Sequence, residues 1–158
     1  DAYLQFARGE GNEEMERVDL HEMLEPVVNN FARQDFKIDL DVDGDNFSTF
    51  LRPVAFERCL TNILSNAHQY AKQGWIILEA TPEILQITID DDGPGIKPDH
   101  RDDVFKPFFR EEKSRNAKSG GVGLGLPIAQ DIILAHGGDI TLDESPKGGL
   151  RVVITLFV

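Results

Sequence analysis

The segment WIILEATPEILQITIDDDGPG, residues 75–95, holds two apolar runs, near 75–80 and 84–91, with only three residues between them. So short a connection has no room for a helical crossover, and the two runs read as strands joined by a turn. The same pattern extends in both directions. Downstream, two closing strands cover roughly 139–144 and 150–157. Upstream, Phe36, Ile38, Leu40 and Val42 alternate with polar partners, and Asp43-Gly44-Asp45-Asn46 turns that strand into another at Phe47–Leu51.

Three helical patterns punctuate these strands. Asp19 with Glu22 three residues later is a capping box, and Leu20, Leu24, Val27, Val28 and Phe31 form one apolar stripe, with Pro26 as an expected kink or early stop. Pro53 suits a first helical position, and Phe56, Leu60, Ile63, Leu64, Ala67 and Tyr70 keep helical spacing to about Lys72. A last helix runs from about Leu126 to His136 and ends at Gly137-Gly138. Before it, residues 93–125 form a long loop rich in Gly and Pro with a short helix near 98–105, the length of a functional loop. The order αββαββ, loop, αββ predicts an α+β two-layer sandwich, a mixed and mostly antiparallel sheet packed on one layer of helices.

Composition narrows the function classes. The chain has 158 residues, 41% apolar and 28% charged, which suits one globular domain. No apolar run approaches the roughly 20 residues that span a bilayer. A net charge of −12 excludes nucleic acid as the partner, because backbone binding needs clustered Lys and Arg. The single cysteine, Cys59, lies in an apolar-periodic stretch and reads as a buried small hydrophobe. An opening on Asp1 reads as a piece cut from a longer chain, with residues 1–17 a remnant and linker and 18–158 the domain.

Four short stretches carry the chemistry. Asn62 and Asn66 sit one turn apart on one helix face, two hard neutral oxygens suited to Mg²⁺ already bearing phosphate. Asp91-Asp92-Gly93-Pro94-Gly95 places a carboxylate at a strand end, where flanking glycines let a flat group approach and an exocyclic amine can donate to it. Phe105-Lys106-Pro107-Phe108-Phe109-Arg110 reads as an aromatic anchor for a mobile segment, with Arg110 free to meet phosphate. Gly121-Val122-Gly123-Leu124-Gly125-Leu126 frees backbone N–H groups at a helix start, a favourable place for phosphate. Each has a bland alternative: surface amides, an acidic turn, core-packing aromatics and a loose loop.

Taken in order, these stretches resemble the N box, first G box, F box and second G box of sensor histidine kinases, over about residues 18–158. "DDGPGI", "PFFR" and the late "GGLR" are most similar to osmosensor kinases of the EnvZ type, and Leu4-Gln5-Phe6-Ala7-Arg8-Gly9 resembles the end of a dimerisation helix. The resemblance implies a Bergerat ATP-binding fold with a long lid, and ATP and Mg²⁺ as cofactors. It implies that Asn66, with Asn62 beside it, binds Mg²⁺, that Tyr70 covers the nucleotide and that Asp91 reads the adenine amine. Gly93 and Gly95 make room at the base, Arg110 touches phosphate, and Gly121, Gly123 and Gly125 shape the lid. Gln69, Lys72, Ile96, Phe109, Val122, Leu124 and Leu126 complete the expected nucleotide contacts. Gln69 stands where the family usually carries Lys or Arg, with Lys72 one turn along. Gly148-Gly149 falls where a late glycine pair is common.

The resemblance implies no catalytic residue in this piece. In gyrase-type and MutL-type ATPases and anti-sigma serine kinases the counterpart of Asn62 is a Glu, and an amide is not a base. His21-Glu22-Met23-Leu24-Glu25-Pro26 only superficially echoes a phosphoacceptor box, because Leu24-Glu25 replaces Arg-Thr and a strand begins near Phe36. His68 could line the nucleotide site or be a partly exposed helix residue, and His100 and His136 have no metal-binding companions in sequence. The expected partners are ATP, a separate dimerisation and phosphoacceptor hairpin, and an OmpR-like response regulator. The piece is expected to be monomeric, its parent a homodimer anchored in a bacterial inner membrane with this domain in the cytoplasm. The alternatives are a decayed nucleotide-binding scaffold, or a stand-alone ATPase or serine kinase.

Overall fold

The computed structural model describes residues 13–106 and 125–158. Among these residues seven strands and three α-helices follow one another: β1 (Glu16–Asp19), α1 (Leu20–Ala32), β2 (Lys37–Asp43), β3 (Ser48–Leu51), α2 (Pro53–Tyr70), β4 (Gln73–Ala80), β5 (Ile84–Asp91), α3 (Gly125–Ala135), β6 (Asp139–Glu144) and β7 (Leu150–Phe157). Short 3-10 turns at Pro98–His100 and Asp103–Phe105 stand where one short helix was expected.

Five strands form one sheet in the order β2-β4-β5-β7-β6, with β2 and β4 parallel and the remaining pairs antiparallel. The register puts Ile76 opposite Ile89 and Ile89 opposite Val152, then Leu78 opposite Ile87 and Ile87 opposite Ile154. With a period of two, those rungs share one face, and they bury there with Leu24, Phe31, Phe56, Leu60, Ile63, Leu64, Ala129 and Ile132 from the helices. The mixed, mostly antiparallel sheet under one helical layer is thus as expected.

Two local features go beyond the sequence reading. The turn at residues 43–46 does not pair its flanking strands: β2 runs parallel to β4, and β3 pairs with β1. A local turn signal specifies a change of direction, and burial of Ile38 and Leu51 in the common core decides the partners. Residues 1–17, read as remnant and linker, take in the first half of β1, whose Glu16 lies opposite Leu51. One apolar residue in Glu16-Arg17-Val18-Asp19 is too little for a strand signal in sequence.

Asp19 caps α1 as expected, accepting from His21 N at 2.8 Å and Glu22 N at 3.2 Å. The helix passes through Pro26 without stopping, because Glu22, Glu25 and Pro26 lie on the exposed side, where the carbonyl left without a donor meets water. His68 stacks on Phe36 at 4.9 Å between ring centres and meets Phe31 edge-on, so it is held in an aromatic group beside the core.

Candidate functional site

The site is built where β5 ends against the C-terminal end of α2. Ile87 and Ile89 anchor β5 in the core, and the same alternation turns Asp91 toward the helical side, where it is buried. Asp91 Oδ1 accepts from Gly93 N at 2.9 Å and from Leu150 N at 3.2 Å. Its carbonyl accepts from Gly149 N at 3.1 Å. Among the described residues both side-chain hydrogen bonds go to Oδ1, so Oδ2 keeps its lone pairs.

Burial raises the Asp91 carboxyl above its ordinary value; the N–H groups of Gly93 and Leu150 oppose this, and the charges of Asp92 and Asp90 reinforce it. A buried carboxylate with spare acceptor capacity is suited to a neutral donor such as an amine.

The glycines around it are structural requirements of that pocket. A Cβ on Gly149 would overlap Asp91 Oδ1 outright and stand 2.6 Å from both the Asp91 carbonyl and Gly93 N. Gly95 adopts φ +73°, and its added Cβ would lie 3.3 Å from the Gly149 backbone. A Cβ on Gly93 would come within 2.9 Å of the Tyr70 carbonyl, so the last residue of α2 lies directly over this turn. Asp92 fastens the same junction, its Oδ1 accepting from Lys72 N at 2.8 Å and Gln73 N at 3.1 Å.

Along α2, Asn62 and Asn66 are half-buried while Ile63, Leu64 and Ala67 are buried beside them. Tyr70 is half-buried, and Gln69 and Lys72 are exposed. At the other border, the first residue of α3, Gly125, packs on Asn62: its added Cβ would lie 3.7 Å from the Asn62 carbonyl. Leu126 turns into the core, and Ile96 packs against the core's edge. One continuous border therefore joins Asn62, Asn66 and Tyr70 with Asp91, Gly93, Gly95 and Gly125. Phe109, Arg110, Gly121, Val122, Gly123 and Leu124 lie outside the described residues, as do Pro107, Phe108 and the segment 4–9.

Sequence reasoning left the Leu150 N–H and the close approach of Gly149 without a role, and it passed over Asp92. The only signals were the paired glycines at 148–149 and the run of three Asp at 90–92. Among the described residues, no three His, Cys, Asp or Glu side chains converge on a metal position.

Comparison with known proteins gives a consistent result. The family model for "Histidine kinase-, DNA gyrase B-, and HSP90-like ATPase" matches residues 52–158. Sensor histidine kinase CpxA of Escherichia coli K12 is 42% identical over 105 residues, covering 66% of this chain. The chain spans only 23% of that relative's length. Among solved structures, the histidine kinase domain of the E. coli osmosensor EnvZ is 32% identical with a TM-score of 0.68, over 93% of this chain and 91% of that one. The mycobacterial sensor histidine kinase MprB superposes with a TM-score of 0.75 at 27% identity, covering 90% of this chain and 97% of that one.

Proposed function

The chain belongs to the histidine kinase-, DNA gyrase B-, and HSP90-like ATPase family, and from that premise we propose that it is the ATP-binding part of a two-component sensor kinase. In this reading it binds Mg-ATP and presents the γ-phosphate to a histidine on a separate dimerisation hairpin. The hairpin then passes the phosphoryl group to an OmpR-like response regulator. The parent protein is a membrane-anchored homodimer with this domain in the cytoplasm. No helix among the described residues is long and apolar enough to cross a membrane.

The observation that carries the reading is Asp91. Its buried carboxylate offers Oδ2 to the exocyclic amine of adenine, while Gly93, Gly95 and Gly149 keep side chains out of the plane the base needs. Tyr70, whose backbone carbonyl lies over Gly93, is assigned to cover one side of the base. Asn62 and Asn66 present half-exposed amide oxygens one turn apart, a neutral donor set that fits a cation whose charge is balanced by phosphates. Mg²⁺ held there would supply neutralisation of phosphate charge. Neither amide can take a proton, so activating the phosphoacceptor belongs to the hairpin, and this chain's residues bind and orient. Arg110 and Gly121, Gly123 and Gly125 are assigned to the phosphates, with Lys72 supplying the charge that Gln69 lacks.

Calorimetric titration with a non-hydrolysable ATP analogue, with and without Mg²⁺, tests this. One-to-one binding is expected, strongly weakened in Asp91→Asn and altered in its Mg²⁺ dependence in Asn66→Asp. Phosphotransfer to a supplied hairpin domain then separates a kinase from a binding scaffold. Hydrolysis of ATP by the chain alone would favour a stand-alone ATPase and overturn the division of labour.

A further inference from the structure

The first turn of α2 is gripped from outside by two side chains that are remote in sequence. Glu13 Oε2 accepts from Val54 N at 2.9 Å and its Oε1 from Ala55 N at 3.1 Å, and its carbonyl accepts from Arg52 Nε at 2.7 Å. A carboxylate spanning two free N–H groups at a helix start is both a cap and a charge that suits the helix dipole. On the other side, His136 Nε2 accepts from Arg52 N at 2.9 Å, and its Nδ1 lies 2.7 Å from the Ile132 carbonyl.

Those contacts fix the proton. A backbone N–H can only donate, so Nε2 is the bare nitrogen, and Nδ1 carries the hydrogen that Ile132 accepts. One neutral imidazole thereby satisfies a free donor at the start of α2 and adds a second hydrogen bond to the Ile132 carbonyl, which also accepts from His136 N at 3.2 Å. The Phe56 ring, edge-on at 5.5 Å, helps hold its plane. The charged groups facing the imidazole are Arg52 and Glu13 themselves.

Two elements joined here, α2 and α3, lead to the candidate site. Asn62 lies about 12 Å along α2 from Val54, at the rise of an α-helix. The opposite end of α3 begins at Gly125, packed on Asn62. We infer that Glu13 and His136 form a clamp that sets α2 against α3 and thereby places Asn62 and Asn66. They are positioning residues. The inference rests on the reading of Asn62 and Asn66 as the Mg-nucleotide face.

The test uses the 158-residue chain with Glu13→Ala, His136→Ala and His136→Gln, plus Leu40→Ala as a control that lowers stability away from the clamp. A non-hydrolysable ATP analogue is titrated with and without Mg²⁺ at a temperature where every variant is folded. Both alanine variants should lose at least about fivefold in affinity with Mg²⁺, the lower range of a coupling between sites, and change little without it. His136→Gln should recover most of the loss, because its amide oxygen can accept from Arg52 N in place of Nε2. Nitrogen NMR should show His136 protonated at Nδ1. Clamp variants that bind as tightly as the parent chain would overturn the inference. So would an equal loss in Leu40→Ala, or a His136 proton on Nε2. A parent chain that binds no nucleotide at all would instead overturn the reading beneath it.

Discussion

Asp90 and Asp91 are neighbours on β5, both buried, and they do opposite work. Asp90 points away from the helices, on a row that runs Trp75, Asp90, Arg151, Asp143 across four strands. Both of its oxygens are taken by Arg151, Nε to Oδ1 at 2.8 Å and Nη2 to Oδ2 at 2.9 Å. That pairing holds the guanidinium protonated beyond its ordinary range. Asp91, one residue on, faces the helical layer and meets only backbone N–H groups, on one oxygen. A period of two separates the pair, and the supply of counter-charge separates their roles. A bidentate ion pair is a finished structure, whereas a buried carboxylate with an unclaimed oxygen is prepared for a ligand.

Three substitutions sharpen this contrast. The largest effect is expected from Gly149→Ala, whose methyl collides with Asp91 Oδ1, its carbonyl and Gly93 N together. Rigid backbone on all sides leaves no cheap relief, so a loss of about 3 kcal/mol or more in denaturant stability should accompany loss of nucleotide binding. Asp91→Asn comes next and splits the two readouts. The amide oxygen still accepts from Gly93 N and Leu150 N, so stability should hold, while affinity for an ATP analogue falls about 10- to 100-fold with the charged acceptor. Asp90→Asn should do the reverse: stability drops by about 1–3 kcal/mol as Arg151 loses its partner, and affinity at a temperature where the variant is folded stays near that of the parent. If Asp90→Asn abolished binding while Asp91→Asn only destabilised, the assignment of roles would be inverted.

Sequence reading reached one side of this contrast and not the other. Asp91, Gly93 and Gly95 stood out because a strand end and its turn are local, and Ile87 and Ile89 announce the alternation that aims Asp91 inward. The acceptor role of Oδ1 was invisible, since the Leu150 N–H lies 59 residues away and arrives by sheet pairing. The strands at 139–144 and 150–157 were legible from alternation alone, as their observed bounds show. The parallel pairing of β2 with β4 was not, because α2 intervenes and the nearby turn at 43–46 gave a competing local signal. Distance in sequence hid the grip on α2 in the same way: Arg52 and His136 are 84 residues apart.

The smallest expected effect concerns protons, and it tests the contrast without a mutation in the pocket. Burial raises the Asp91 carboxyl above 3.8, so the folded domain holds that proton to a higher pH than the unfolded chain does. Between those two values the unfolded state binds fewer protons, and the stability of the free domain contributed by this group falls as pH rises. Nucleotide binding needs the ionised acceptor, so affinity should rise through the same window. Melting curves above pH 3.8 should therefore fall with pH for the free domain and run level with saturating analogue, where the rise in affinity offsets the fall. Asp91→Asn should remove the fall seen without analogue; a fall that survived it would assign the effect to another group. Because the Asp90 charge is one of the causes that raise Asp91, Asp90→Asn should keep the fall and end it at a lower pH. The residue with no part in binding would then still tune the one that binds, through charge alone.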